Sequence, residues 1–495
     1  MKKLASIFLA LVMIFAITIP ALAADTDVTI GTVGREYLGY QLMTVTTSLK
    51  CAENHNHEDT CYNYAYSVND EYFDILKDVT GKDNKADIIK YLGTEVQSNT
   101  AEMQKIADDI YRAIKSKPEG TFTPKEIAGN TPTELDQGYW LFADVTDLNK
   151  EGKEANSVVM VDTKGKGEIT VNPKEGLPSI TKEVKDATTK LWGKAADARI
   201  GEDVEFKLTA TVHDHLASYN SYKLEFQDNF EGYNLKEESI VVKVYPNNQK
   251  VEADAKTLTL NTHYSVTTGT DPDFKVVLED IKTLDGVAVT ADSVFEVTYK
   301  AELANGATIG EDGNPNTVKL VFSNNPYDTN STGTTSDNVV VYTYKLVIEK
   351  RALTENGALL PGAAFSLYKM VDGVKTLIGS YTASDKTTFE WLGLDDGDYI
   401  LEEDEAPEGY NKMADLEFTI AATYDIDGID TLTVDGMTTD ADAGKISDVV
   451  VNLTGTVLPE TGGMGTMWLI IGGAMLVILA GVFMITRKKM SVFED

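Results

Sequence analysis

The chain has 495 residues, 42% of them hydrophobic, with 78 acidic against 44 basic side chains and a net charge of −34. At roughly 100–200 residues per domain this suggests two to four domains with ample core, which excludes a disulfide-stapled miniprotein and a disordered acidic tail. A polyanion binder needs a basic face, so nucleic acid is excluded as a partner.

Lys2 and Lys3 precede an uncharged run from Leu4 to Ile19, then Pro20 and Ala21-Leu22-Ala23-Ala24. This is the layout of a secretory signal peptide over 1–23 with a small-residue cleavage site. An N-terminal membrane anchor is the alternative, but the run is short for a span of ~20 residues. Outside the cell, Cys51 and Cys61 most often close a loop as a disulfide. The same loop holds His55 and His57, enough ligands for a tetrahedral metal in number, but it is cramped and lacks paired CxxC spacing. An unpaired surface insertion is the third reading, and neither a metal site nor a cofactor is assigned.

The first domain, expected over 24–175, mixes short alternating segments with one clear helix. Met103, Ile106, Ile110 and Ile114 recur on one face before Pro118 stops it. Gly138–Phe142 and Ser157–Val161 read as strands. The domain closes on Ile169-Thr170-Val171-Asn172-Pro173-Lys174, where Asn-Pro-Lys reads as an interdomain turn or as an exposed lysine with its own task.

From 176 to 344 the pattern is strands throughout, as in Val204–Leu208 and Phe295–Tyr299, with regular turn clusters that suggest a β-sandwich. The Ser/Thr/Asn/Gly-rich stretch from Asn324 to Asn338 reads as a long loop inside this unit, with strand pattern resuming at Val339. A smaller all-β unit follows over 345–457, the usual size of one sandwich. The fold class expected is mainly β: tandem immunoglobulin-like sandwiches after an N-terminal domain with a helical insertion.

Side chains alternate sides along a strand, so Leu346, Ile348 and Lys350 share a face. So do Tyr399, Leu401 and Glu403, and also Val450 and Asn452. A buried lysine or glutamate is costly unless paired, and three such positions on inward rows suggest a constellation. In the middle unit Ile180, Lys182 and Val184 share a row. Leu224, Phe226, Asp228 and Phe230 share another, and Val318, Leu320, Phe322 and Asn324 a third, on which Asn316 also lies. A buried salt bridge capped by asparagine, or ordinary edge-strand polar residues in the middle unit, are the plainer readings.

The chain ends with Leu458-Pro459-Glu460-Thr461-Gly462, an uncharged run from Met467 to Ile485, and the basic stop Arg487-Lys488-Lys489. The run is long enough for a transmembrane helix with its basic flank in the cytoplasm. A plain single-span membrane protein is the simpler alternative. The order of motif, span and basic tail over 458–495 resembles the cell-wall sorting signal of Gram-positive surface proteins. The resemblance implies that a sortase cuts the Thr461–Gly462 bond and joins the Thr461 carbonyl to an amine.

Tyr399-Ile400-Leu401-Glu402-Glu403-Asp404-Glu405-Ala406-Pro407-Glu408-Gly409-Tyr410 resembles the YxLxExxAPxGY box of Cna B-type domains, which form an intramolecular Lys–Asn isopeptide bond. Leu360-Pro361-Gly362-Ala363-Ala364-Phe365 and Asn452 fit the same family. The resemblance implies Lys350 as nucleophile, Asn452 as electrophile and Glu403 as catalyst. An apolar interior favours the neutral forms of amine and acid, which this chemistry needs. The middle unit resembles the Cna A-type domain of pilins, with Lys182 as nucleophile, Asp228 as catalyst and Asn324 as partner, Asn316 remaining open. The Lys174 segment resembles the pilin motif whose lysine links subunits, with Asn172 where the family has Tyr.

Signal, lysine motif, two constellations and sorting signal together resemble a backbone pilin of sortase-assembled pili. The partners implied are sortase, other copies of the chain head to tail, minor tip or base pilins, peptidoglycan, and a host glycan or matrix protein. Two other readings stay open: a monomeric wall-anchored adhesin, which does not need Lys174, and a secreted metal enzyme built on the Cys51–Cys61 loop with His213 and His215. The last lacks a third ligand or an HExxH-type context.

Overall fold

The computed structural model describes residues 26–49, 62–148, 155–165, 167–173 and 176–455. The signal segment, Cys51, Cys61, Lys174, the Leu458–Gly462 motif and the apolar run after it lie outside the described residues. Among the described residues no helix is long and apolar enough to cross a membrane.

The N-terminal part is organised around the long strand Glu36–Leu49. It pairs with Tyr62–Val68 on one side and Gly138–Asp144 on the other, and the latter pairs with Val158–Asp162. Three helices, Phe73–Thr80, Lys85–Lys90 and Thr100–Lys115, contribute to the core on this sheet. The expected helix is the longest of these, and Ile106, Ile110 and Ile114 are buried on it. Asn84 and Asn99 cap the second and third helices by accepting the Asp87 and Glu102 N–H groups. The two shorter helices escape a periodicity reading because neither is long enough to repeat its apolar face convincingly. A second small core gathers Val28, Ile30, Trp140, Phe142 and Val171. There the first strand, Thr26–Ile30, pairs in parallel with Glu168–Val171, so the approach to Pro173 is held by a sheet.

Two six-stranded sheets form the middle unit. In one, Ile180–Lys185 lies beside Asp203–Thr211, which pairs with Val294–Leu303. In the other, Asn314–Ser323 lies between Leu224–Phe230 and Thr332–Tyr342. Strict alternation of buried and exposed residues points Phe206, Phe226, Phe274 and Tyr299 into one shared core.

The expected loop over 324–338 is corrected. The strand begins at Thr332, with Ser323 opposite Thr332 and Asn316 opposite Val339. Residues Thr332, Thr334 and Thr335 are only partly buried, so polar character hides a strand whose backbone is fully paired and whose threonines suit it. The true loop, between Ser323 and Thr332, reaches the N-terminal unit. The Tyr327 hydroxyl donates to Asp108 Oδ1 at 2.6 Å, its ring stands edge-on to Tyr111 at 4.7 Å, and Asn156 N–H donates to the Asn324 carbonyl at 2.9 Å.

The chain passes through Thr343 directly into the last unit. Tyr344–Ala352 pairs in parallel with Lys445–Asn452 and antiparallel with Thr388–Leu394. The facing sheet holds Ala364–Val371, Gly397–Glu405 and Leu416–Tyr424. Its seam with the middle unit is hydrogen-bonded. Tyr424 donates to Asp186 Oδ2 at 2.6 Å, Asp396 N–H to Asp197 Oδ2 at 2.8 Å, and Glu311 N–H to the Asp442 carbonyl at 2.9 Å.

Replacing Tyr327 by Ala removes a packed ring and a donor from buried Asp108. Denaturant unfolding is expected to show the N-terminal unit destabilised by about 3 kcal/mol, with no change in the last unit.

Candidate functional site: two buried lysine–acid–asparagine trios

Alternation along three strands of the last unit turns Lys350, Glu403 and Asn452 inward, and all three are buried. Parallel pairing sets Lys350 level with Val450 and Ala352 level with Asn452, so lysine and asparagine stand on neighbouring strands two positions apart. Glu403 comes from the facing sheet. Lys350 Nζ lies 3.0 Å from Glu403 Oε1 and donates to Asn452 Oδ1. Asn452 Nδ2 donates to Glu403 Oε1 and Oε2 at 2.9 and 3.0 Å, and Met413 N–H donates to Oε2 at 2.7 Å. The Phe365 ring lies 5.4 Å from Nζ. Burial pushes the Lys350 amine below its ordinary range, against the opposing pull of Glu403.

The middle unit repeats the composition in a different geometry. Lys182 projects from one sheet toward Asp228 and Asn316 on the other. Its Nζ lies 2.5 Å from Asp228 Oδ2, 2.5 Å from Asn316 Oδ1 and 3.1 Å from the Tyr299 hydroxyl. Tyr299 donates to Asp228 Oδ1 at 2.9 Å, and Asn316 Nδ2 donates to the Tyr299 oxygen at 2.8 Å. Burial drives the Lys182 amine down to about 8 even beside Asp228, and it drives the Asp228 carboxyl up. Both shifts favour a neutral amine facing a neutral acid.

Asn324 is therefore corrected to Asn316 as the amide facing Lys182. The two share a row, but Phe230 is level with Asn316 and Asp228 with Val318, so the trio sits at that end of the strand. Asn324 is eight residues further on, on the order of 25 Å along an extended chain. Its Oδ1 accepts from Ser331 Oγ at 2.7 Å. Tyr299 is a member that the sequence did not single out. Its row with Phe295 and Val297 was legible, but a tyrosine on an apolar row is an ordinary core residue.

Other buried polar groups lack one ingredient. In the N-terminal unit Arg35 Nη1 lies 3.0 Å from Asp144 Oδ2, and Asn156 Nδ2 donates to Asp144 Oδ1 at 3.3 Å. A guanidinium stays protonated and is no nucleophile, so this trio is an ion pair with an amide beside it. Lys369 pairs with Asp395, which accepts from the Tyr399 hydroxyl at 2.7 Å, with no asparagine in the set. His213, expected on a strand surface, is instead buried past the end of its strand, and its Nδ1 accepts the His215 N–H at 2.9 Å. Burial holds its imidazole down at about 3.

A family model described as a prealbumin-like fold domain, SpaA, matches residues 344–432, and one described as the LPXTG cell wall anchor motif matches residues 454–491. The chain is thus a wall-anchored surface protein of the Gram-positive type, with a prealbumin-like domain before its anchor. The trypsin-resistant surface T6 protein of Streptococcus pyogenes serotype M6 is 26% identical over 257 residues, which are 48% of this chain and 44% of that protein. The chain spans less than half the length of that curated relative in the match. Among solved structures, the three-domain T6 backbone pilin of S. pyogenes serotype M6 superposes with a TM-score of 0.53 at 17% identity, covering 88% of this chain and 100% of that one. The full-length major pilin SpaD of Corynebacterium diphtheriae does so at 0.46 and 17% identity, covering 87% and 98%. The first of these likenesses establishes a shared mainly-β, multi-domain fold.

The Lys182 environment has a measurable consequence in a protein that keeps the lysine but lacks Asn316. With Asn316 in place burial brings the folded amine down to about 8, against about 10.5 unfolded, and the same burial acts on it in the variant. Between those values the unfolded state binds the extra proton, so stability rises with pH. Comparing Asn316→Ala with Asn316→Ala/Lys182→Met by denaturant unfolding, the lysine-bearing protein should gain on the other as pH rises from about 8 to about 10.

Proposed function

We propose that the chain is the backbone subunit of a covalently polymerised surface pilus, built of an N-terminal pilin domain (24–175), a Cna A-like domain (176–344) and a Cna B-type domain (345–457). Sortase cleaves between Thr461 and Gly462 and joins the Thr461 carbonyl to Lys174 of the next copy. The finished fibre, with its tip or base pilins, is anchored to peptidoglycan and serves adhesion to a host glycan or matrix protein. The chain is a sortase substrate rather than an enzyme, and its only chemistry on itself is cross-linking. The observation that carries this reading is the pair of wholly buried trios, each holding an amine against an asparagine amide with an acid beside both.

In the last domain the Lys350 amine attacks Cγ of Asn452 while Glu403 gives a proton to Nδ2 and takes one back from Nζ, 3.0 Å from its Oε1. The Nζ–Cγ bond forms, the Cγ–Nδ2 bond breaks and ammonia leaves. In the middle domain Lys182 attacks Asn316. There the departing Nδ2 touches Tyr299, which in turn touches Asp228, so a proton passes from acid to hydroxyl to amide, and Nζ, 2.5 Å from Asp228 Oδ2, returns one to the acid. The last-domain closure spans 102 residues and contributes on the order of 4–5 kcal/mol in the chain-entropy model.

Intact mass of the folded ectodomain should fall by about 17 Da for each bond, the mass of the ammonia released. Lys350→Ala, Glu403→Ala and Asn316→Ala are each expected to restore one such increment, and Asn324→Ala none. A deficit that persists in Glu403→Ala removes Glu403 from the chemistry.

The alternative, a monomeric wall-anchored adhesin with cross-linked stalk domains, shares every feature except the task of Lys174. Wall extracts are expected to give SDS-resistant ladders of high mass that vanish in Lys174→Ala. Ladders that survive point to another linking lysine, and a single band in the wild type favours the adhesin.

A further inference from the structure

The C-terminal end of the last unit carries an apolar patch on an otherwise strongly acidic chain. Leu353, Leu359 and Leu453 are 51%, 50% and 58% exposed. Parallel pairing sets Ala352 level with Asn452, so Leu353 and Leu453 follow as neighbours, and Leu353 N–H donates to the Asn452 carbonyl at 2.9 Å. Leu359 bridges Arg351 at the same end. Leu353 also has φ of 65°, a left-handed conformation that leucine rarely adopts. Backbone strain held at an exposed leucine points to a use for that surface rather than to folding.

The chain leaves the unit at this patch along a fixed path. Asn411 N–H donates to the Leu453 carbonyl at 2.9 Å, and Asn411 Nδ2 to the Gly455 carbonyl at 2.7 Å. Six Cα–Cα steps then separate Gly455 from Thr461. Fully extended, they reach about 20 Å. Whatever is joined to the Thr461 carbonyl is therefore tethered within that distance of Gly455, two residues past Leu453.

We propose that this leucine-bearing end docks on the next copy of the chain once the two are joined, an inference that rests on the pilus reading above. Acidic surfaces repel one another, so a close joint between two copies needs an uncharged contact. Three half-exposed leucines cannot hold free subunits together, since stable interfaces bury roughly 1,200–2,000 Å². A short tether changes this by raising the effective concentration of the neighbour to the order of millimolar. Joining comes first, and docking follows from it.

The test is hydroxyl-radical footprinting, read by mass spectrometry, of the free full-length ectodomain and of the covalently joined two-subunit species purified from wall extract. Labelling of Leu353, Leu359 and Leu453 is expected to fall to about half in the two-subunit species, since only one of its two copies has its C-terminal end joined, while Leu191 and Val374, exposed elsewhere, label as before. In Leu353→Ser/Leu453→Ser the ladders should still form, and Leu359 should label as in the free subunit. Joined subunits whose three leucines label like the free protein overturn the docking inference alone. Absence of any joined species in the wild type overturns the pilus reading and this inference with it.

Discussion

An amine, a carboxyl and an amide held together without water is the constraint on which two of the three units are built. Moving a lysine or an acid out of water costs several kcal/mol, and their mutual attraction rarely returns more than that. Each sandwich therefore places an electrostatic liability at its centre, fully buried between aromatic rings: Phe365 in one, Phe206 and Tyr299 in the other. As permanent ion pairs these sites would be poor stabilisers. As reactants they are well placed, because desolvation moves both lysine amines, and the Asp228 carboxyl, toward the neutral forms that amide formation needs, and a product amide would remove the buried charge.

The strands on which these groups stand decide what a bond would do mechanically. In the last unit the first and final strands run side by side in parallel, and Lys350 and Asn452 sit near the end where the chain departs. Tension entering at Tyr344 would cross to the final strand at Lys350 and bypass nearly everything between. In the middle unit Lys182 and Asn316 join opposite sheets, and Asn316 lies on the strand before the last. If Lys174 and Thr461 are the linked residues, the N-terminal unit lies mostly outside the path between them. It holds an arginine where a nucleophile would be required, and it accommodates three helices within one sheet-backed core.

On the pilus reading, uniform acidity would suit subunits that must stay soluble before they are joined, and would oppose any close joint between them. Within the chain the seams combine directed hydrogen bonds from Tyr327, Tyr424 and backbone N–H groups with apolar contacts, Tyr327 on the N-terminal core and Val340 and Tyr342 on the core of the last unit. The leucines at the C-terminal end depart from that pattern at the place where the next copy would be tethered.

Much of this was legible in the sequence because strand alternation is a local rule. Period two assigned Lys350, Glu403, Asn452, Lys182 and Asp228 to inward rows, and the spacing of Met103, Ile106, Ile110 and Ile114 marked the longest helix. The anchor motif needed no fold to be read, since its residues are contiguous in the sequence. What alternation cannot supply is height along a row. Asn316 and Asn324 are equivalent by period, and only the pairing of Asn314–Ser323 with Leu224–Phe230 brings Asn316 level with Asp228. Local pattern also hid the first half of the Thr332–Tyr342 strand, up to Asn338, whose partly buried threonines carry no apolar signal, and Tyr299, whose hydroxyl matters only because another sheet sets Asp228 and Asn316 against it. Which faces are buried was therefore settled by the chain itself. Which buried groups meet was decided by strand register and the packing of two sheets, both set by contacts between residues far apart in sequence.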